Sequence, residues 1–120
     1  MERYLKPYKK KKVKSVVPVM KPFKRPKKVE ISYDAGEEKD IEKKHYLVVN
    51  WKLPDTSDAV LNYSLRILDH ILIGTPASPL KKALMDSGLG EDLAGGGLET
   101  QLRYLLFSTG LKGTRKRHAR

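Results

Sequence analysis

One amphipathic helix near the middle of the chain constrains the fold more than any other feature. Four leucines recur at helical spacing and form one apolar stripe, at positions 61, 65, 68 and 72. This period predicts a helix over about residues 58–73. We expect Ser57 to be its N-cap, Gly74 to cap its C-terminus and Pro76 to prevent continuation. A helix with one apolar face must bury that face against another element, here a sheet.

Two segments before this helix alternate apolar and polar residues, as half-buried strands do. They are "VEISY" at 29–33 and "HYLVVNWKL" at 45–53. In the second, the face that carries Trp51 is the more apolar, so we expect it to face the core. Pro54 lacks an N–H for the sheet and is expected to end the strand.

The segment after the helix is closely punctuated by proline, serine and glycine. Ser78 is expected to cap a short helix over 80–87 by accepting from its free amides, with Pro79 in its first turn and Gly88 ending it. "LGEDLAGGG" at 89–97 predicts a loop, and "TQLRYLLFSTGLKG" at 100–113 predicts one long strand. The order strand, strand, helix, short helix, loop, strand indicates an α+β fold.

Charge divides the 120 residues into three parts, which we take as a Lys-rich arm (1–28), a folded body (29–113) and a basic tail (114–120). The arm holds twelve basic residues and one acidic residue, the body is mildly acidic, and the tail is basic again. Dense like charges and four prolines predict that the arm is disordered. A targeting segment is an alternative, although transit peptides are usually richer in Arg and Ser.

A Lys-rich arm can bind polyanions such as RNA, DNA or an anionic membrane, with strong salt dependence. Its candidate anion-binding residues are Lys9, Lys10, Lys11, Lys12 and Lys14. The alternative function from composition is therefore a small basic interaction module. No run approaches the roughly 18 apolar residues of a membrane span.

No residue pattern in the sequence indicates a catalytic centre. Cysteine is absent, which excludes disulfides and thiolate zinc sites. The three histidines, at 45, 70 and 118, are too far apart for a helical zinc pair. Ser87 and Ser108 do not match a nucleophile elbow. We therefore predict no catalytic and no metal-binding residues.

A longer pattern carries a resemblance to a known family. "GTPASPL", then K-x-L-x-x-S-G-L-G, then "GLKG" follow one another in order between residues 74 and 113. This block, together with "KKHYLVVNWKLPD", resembles the presequence proteases, the organellar branch of the pitrilysin-type zinc metallopeptidases (inverzincins). The resemblance covers about 85 of the 120 residues, from near Pro26 to Gly113. We find none in the arm or the tail.

The resemblance implies a fold and a role. In this family two halves, each of two related α+β domains, close around unfolded peptides. The matched region is the start of the second domain, a non-catalytic scaffold, so we expect a partial pitrilysin-type domain. The punctuating residues are then structural: Ser78, Pro79, Gly88, Gly90, Gly110 and Gly113.

The family's zinc motif, H-x-x-E-H, does not occur in this sequence. The resemblance therefore implies zinc and peptide substrates for a full-length parent, and a mitochondrial or plastid location. For this chain we expect no cofactor and no activity of its own, because activating water needs the metal and the ligand set is missing. The expectation is a fragment of a presequence-protease-like zinc metalloendopeptidase that degrades transit peptides and other short unfolded peptides.

Overall fold

The computed structural model describes residues 4, 6–9, 11–37 and 41–119. Its elements are, in chain order, β1 (His45–Asp55), α1 (Ala59–Ile73), α2 (Pro79–Asp86), β2 (Asp92–Glu99) and β3 (Tyr104–Thr114). A 3-10 helix over Lys116–Ala119 follows β3. The α+β class is confirmed, as a small antiparallel sheet with two helices.

The strand order is β1-β3-β2, with both pairs antiparallel. Among the described residues, β3 is therefore the central strand although it comes last, and β1 and β2 are the edges. Phe107 of β3 lies opposite Trp51 of β1 and Leu98 of β2, which fixes the register across all three strands. This places the most apolar residues of each strand on one face.

Two strand assignments differ from the sequence prediction. Residues 29–33 form no strand and are exposed. The ring of Tyr33 nevertheless packs edge-on against the ring of Tyr46, with 5.6 Å between the ring centroids. Conversely, residues 92–97 were expected in a loop and form most of β2. Gly95 and Gly97 have φ values of 89° and 71°, and the register shifts between Ala94 and Gly97. Glycine permits this irregular backbone, so a glycine-rich run can still pair at a sheet edge.

The start of α1 also differs in detail. β1 continues through Pro54 to Asp55, which is possible because β1 is an edge strand and its register shifts between Lys52 and Asp55. The N-cap is Asp58 rather than Ser57, and its Oδ1 accepts from the N–H of Leu61 at 3.0 Å. Gly74 caps the C-terminus as expected, with its N–H donating to the carbonyl of His70.

The core is small. The buried apolar residues among those described are Ala94, Leu105 and Leu111, all from β2 and β3. The leucine stripe of α1 faces the sheet, yet no residue of α1 is buried, and Leu68 is 47% exposed. The expectation that the whole stripe is buried is therefore wrong, because the two helices leave part of the sheet face open. Within the described residues, no helix has the length and apolarity needed to cross a membrane.

Candidate functional site

The junction of α1 and α2 is held by one buried hydroxyl. Ser78 is 4% exposed. Its Oγ accepts from the N–H of Thr75 at 3.0 Å, lies 3.0 Å from Thr75 Oγ1, and donates to the carbonyl of His70 at 3.3 Å. Ser78 is the N-cap of α2 by position, with Pro79 in the first turn, but its side chain makes no cap hydrogen bond. The predicted cap hydrogen bond from the α2 amides to Ser78 is wrong, because the Ser78 hydroxyl points back toward α1. Its hydrogen bond to α1 joins the two helices.

The glycines named from the sequence occupy positions that a side chain would disturb. Gly88, after α2, and Gly113, near the end of β3, have φ values of 65° and 69°, which favour glycine. A Cβ at Gly90 would lie 2.8 Å from the Lys112 carbonyl oxygen, and one at Gly110 would overlap the backbone of β1 at Leu47. These φ values and contacts are physical reasons for glycine at the four positions, and the structural role of these residues stays a prediction.

Ion pairs gather at the end of the sheet where β2 begins. Lys112 Nζ lies 2.8 Å from Asp92 Oδ2, and Lys43 Nζ lies 3.5 Å from Glu91. The Lys112 hydrogen bond, followed by the N–H of Leu93, lowers the pKa of Asp92. The same partner raises the pKa of Lys112. Each of the two carboxylates has a lysine within ion-pair distance, so the cluster links the start of β2 to β3 and to the segment before β1.

An apolar groove of about 160 Å³ lies between α1 and the sheet. Its apolar lining residues are Trp51, Leu53, Leu65, Leu68, Leu72, Leu98 and Phe107. This agrees with the prediction that the Trp51 face is directed to the core. Asp69 is the charged residue in the lining, and its Oδ1 accepts from the N–H of Leu98 at 3.0 Å. The groove can hold an apolar group but presents no nucleophile.

Arg103, which directly precedes β3, and Tyr104, the first residue of β3, contact the N-terminal segment. Arg103 Nη1 donates to the carbonyl of Val17, and Tyr104 Oη accepts from the N–H of Met20 at 2.8 Å. Arg103 also pairs with Asp55, Nε to Oδ2, at 3.4 Å. No local sequence pattern indicates the contacts with Val17 and Met20, because the bonded residues are more than 80 positions apart. The available signal was an Arg-Tyr pair opening a strand, and it is a weak one.

The histidines do not form a zinc site. His45 begins β1, and His70 is in the last turn of α1. His118 follows β3 and places its Nδ1 3.3 Å from the carbonyl oxygen of Leu89. In the described part of the chain, no group of three or more His, Cys, Asp or Glu side chains could hold a metal ion. The donors present do not fit the family's zinc.

The lysines predicted to bind anions lie on the N-terminal segment. Lys9, Lys11, Lys12 and Lys14 are exposed on the N-terminal segment, and Lys10 lies outside the described residues. Residues 11–35 contain neither helix nor strand. Anion binding by these lysines stays a prediction, as does disorder of the arm.

Comparison with known proteins gives one family. Residues 1–120 match the family model described as "Peptidase M16 inactive domain". The match includes the arm and the tail, for which the sequence alone indicated no resemblance. The alignments with the individual relatives described next cover fewer residues than this match.

Three relatives illustrate the likeness. The chain is 44% identical over 100 residues to presequence protease 1, chloroplastic/mitochondrial, of Arabidopsis thaliana, which is 82% of this chain and 9% of that protein. It is 32% identical over 94 residues to Protein HypA of Clostridium perfringens, 78% of this chain and 10% of that protein. It is 41% identical over 66 residues to the mitochondrial presequence protease of Mus musculus, 54% of this chain and 6% of that protein. The chain thus spans about a tenth or less of these proteins.

Proposed function

The chain belongs to the peptidase M16 family, where it matches the inactive domain, and from this premise we propose that it is a non-catalytic scaffold segment of a presequence-protease-like zinc metalloendopeptidase. The peptidase as a whole would degrade transit peptides and other short unfolded peptides. The observation that carries the proposal is the family match over the full chain. The individual relatives, at 30–44% identity, add the presequence-protease branch.

The geometry of the described residues supports a scaffold role. Ser78 and Gly110 both act on the packing of neighbouring elements. The Ser78 hydroxyl joins α1 to α2, and the missing side chain at Gly110 lets β1 pass close to β3. The histidines lie on separate elements, so the zinc of such a peptidase would be held by residues outside those described here. Accordingly, this chain alone is proposed to be inactive.

The relatives' names suggest where the protein acts. Those from Arabidopsis thaliana and Mus musculus are named for chloroplasts or mitochondria. We therefore extend the proposal to a mitochondrial or plastid location. Import of the full chain into isolated mitochondria or chloroplasts, measured as protease protection, tests this part separately.

A chimera tests the scaffold role. The matched segment of the Arabidopsis thaliana relative is replaced by the corresponding 100 residues of this chain, and degradation of a fluorogenic peptide is measured. We expect the chimera to keep activity near the parent's level, because the segment supplies shape and not chemistry. The same chimera with Gly110→Val is the control, and it should lose activity together with its folded state. A well-folded chimera without activity would contradict the proposal.

A second assay addresses the chain by itself. Purified protein is incubated with zinc and the same peptide, with and without a chelator. We expect no chelator-sensitive cleavage. Stoichiometric zinc binding together with chelator-sensitive cleavage would overturn the scaffold assignment, since activation of water by zinc needs ligands that this chain does not bring together.

A further inference from the structure

A short length of the N-terminal segment is bound through its main chain. The Arg103 guanidinium donates to the carbonyl of Val17, and the N–H of Met20 donates to the hydroxyl of Tyr104. On the bound segment both groups are backbone atoms, whereas those of Arg103 and Tyr104 are side-chain atoms. These two hydrogen bonds recognise a C=O and an N–H three residues apart in a segment that is neither helix nor strand.

The side chains of Arg103 and Tyr104 also make contacts outside the N-terminal segment. Arg103 Nε pairs with Asp55 Oδ2 at 3.4 Å, and the Arg103 carbonyl accepts from the N–H of Thr56 at 3.0 Å. Lys52 Nζ lies 4.1 Å from the centroid of the Tyr104 ring, a cation–π distance. Donor and acceptor are therefore positioned independently of the segment they bind. Such preorganisation lowers the entropic cost of binding.

The side chains of the bound segment are partly exposed, and the two hydrogen bonds to it use its backbone atoms. Val17, Val19 and Met20 are 59%, 67% and 43% exposed. Pro18, between the two hydrogen-bonded residues, has no N–H to satisfy and restricts its own φ. A different peptide that presents the same two backbone groups would satisfy the same side chains.

We propose that Arg103 and Tyr104 form a binding site for the main chain of an extended peptide, which residues 17–20 occupy within the same chain. We refer to these two residues as the backbone clamp. The inference rests on the proposed function in that its ligand is a peptide. The inference adds a specific site for that peptide. It also adds a competitor, the N-terminal segment, whose effective concentration at the site is high because it belongs to the same chain. A free peptide binds when it displaces this segment.

The first test measures the internal contact in the full chain. Amide hydrogen exchange at Met20 is followed by NMR in Tyr104→Phe, which keeps the ring over Lys52 but removes the accepting oxygen. We expect exchange to be about fivefold faster, the effect of losing one typical hydrogen bond. Tyr63→Phe is the matched control, because Tyr63 is 71% exposed on α1. Unchanged exchange in Tyr104→Phe overturns the proposal.

The second test measures a free peptide. A fluorescent peptide with the sequence of residues 13–24, VKSVVPVMKPFK, is titrated into the full chain, and its anisotropy gives Kd. We expect Tyr104→Phe to weaken binding about fivefold. Met20→Pro removes the competing N–H and should strengthen binding, whereas Met20→Ala retains that N–H and should change it less.

A peptide N-methylated at the methionine corresponding to Met20 lacks the donor and is the ligand control. Equal affinity for the methylated and unmethylated peptides overturns the proposal. If the Met20 amide responds to Tyr104→Phe but no variant binds the peptide, the contact is only an internal tie and the proposal is again wrong. That result leaves the scaffold role intact, because the chimera assay measures it separately.

Discussion

Gly110 lies at the point where β1 passes against the central strand. A Cβ there would overlap the Leu47 backbone, and backbone cannot move aside as a flexible side chain can. We expect Gly110→Ala to lower the free energy of unfolding by about 1–3 kcal/mol, the range for overpacking, as measured by urea denaturation. Gly96→Ala is the control. A Cβ at Gly96 meets nothing within 4 Å, so the change should be within about 0.5 kcal/mol. Equal stability of the two variants would contradict the close approach.

The Asp92–Lys112 pair predicts an acid-dependent stability. The folded-state pKa of Asp92 lies below its ordinary value of 3.8, chiefly through the hydrogen bond from Lys112. A carboxyl with a depressed folded pKa contributes stability above 3.8, and this is lost as pH falls through the folded pKa. Asp92→Asn should therefore flatten the decline of stability at acid pH. The measurement is thermal unfolding as a function of pH.

Glu30→Gln provides the charge-matched control for this prediction. Glu30 is exposed and lies outside the sheet. Its substitution should leave the acid decline as in the wild type. If both variants flatten the decline equally, net charge is responsible and not the ion pair.

At the scale of elements, the α1–α2 junction depends on one hydroxyl. Ser78→Ala leaves the Thr75 N–H without its buried acceptor and the His70 carbonyl without one donor. We expect a loss of about 1–3 kcal/mol in the free energy of unfolding. Ser64→Ala in α1 is the control, because Ser64 is exposed and bonds only back to the Val60 carbonyl in the described structure. A loss no larger than that of the control would show that the junction is held by other contacts.

Local patterns predicted the helices and the long strands because their causes are local. The leucine period and Gly74 place α1, and Pro79 and Gly88 bound α2. β3 begins with the apolar run of residues 104–107. In each case, the residues that determine the element lie within it or at its ends.

The missed elements depend on partners distant in sequence. β2 has three consecutive glycines and no alternation, so only its pairing with β3 makes it a strand. "VEISY" alternates well but has no strand partner. The backbone clamp joins residues more than 80 positions apart, and no local pattern indicates such a contact. The sequence allowed the residues of the candidate site to be named as structural positions. It did not allow the contacts that they make to be predicted.

At the scale of the whole molecule, many large apolar side chains are exposed and few apolar residues are buried in the core. The outward side of α1 carries four exposed apolar residues, Val60, Tyr63, Ile67 and Ile71, at 55–78% exposure. Their helical spacing makes them one stripe. A contiguous exposed stripe promotes association, against which the net charge of +11 acts by repulsion.

We expect the chain to self-associate with increasing concentration, and more so in salt, which screens the charge. Ile67→Glu with Ile71→Glu should reduce this association, as measured by sedimentation velocity. Val13→Glu with Val16→Glu alters net charge equally but lies on the N-terminal segment, and it should reduce association less. Equal effects of the two double variants would assign association to charge alone.

The strand order β1-β3-β2 has a consequence for synthesis on the ribosome. Residues of β1 pair with residues of β3 that lie 49 positions later (Asp55 with Tyr104) to 69 positions later (His45 with Thr114). At roughly 5–20 residues per second, that interval is several seconds. β2 emerges before β3 as well, and both outer strands take β3 as their neighbour. The nascent chain therefore carries two unpaired strands and both helices until β3 leaves the exit tunnel, and the sheet then forms around its last strand.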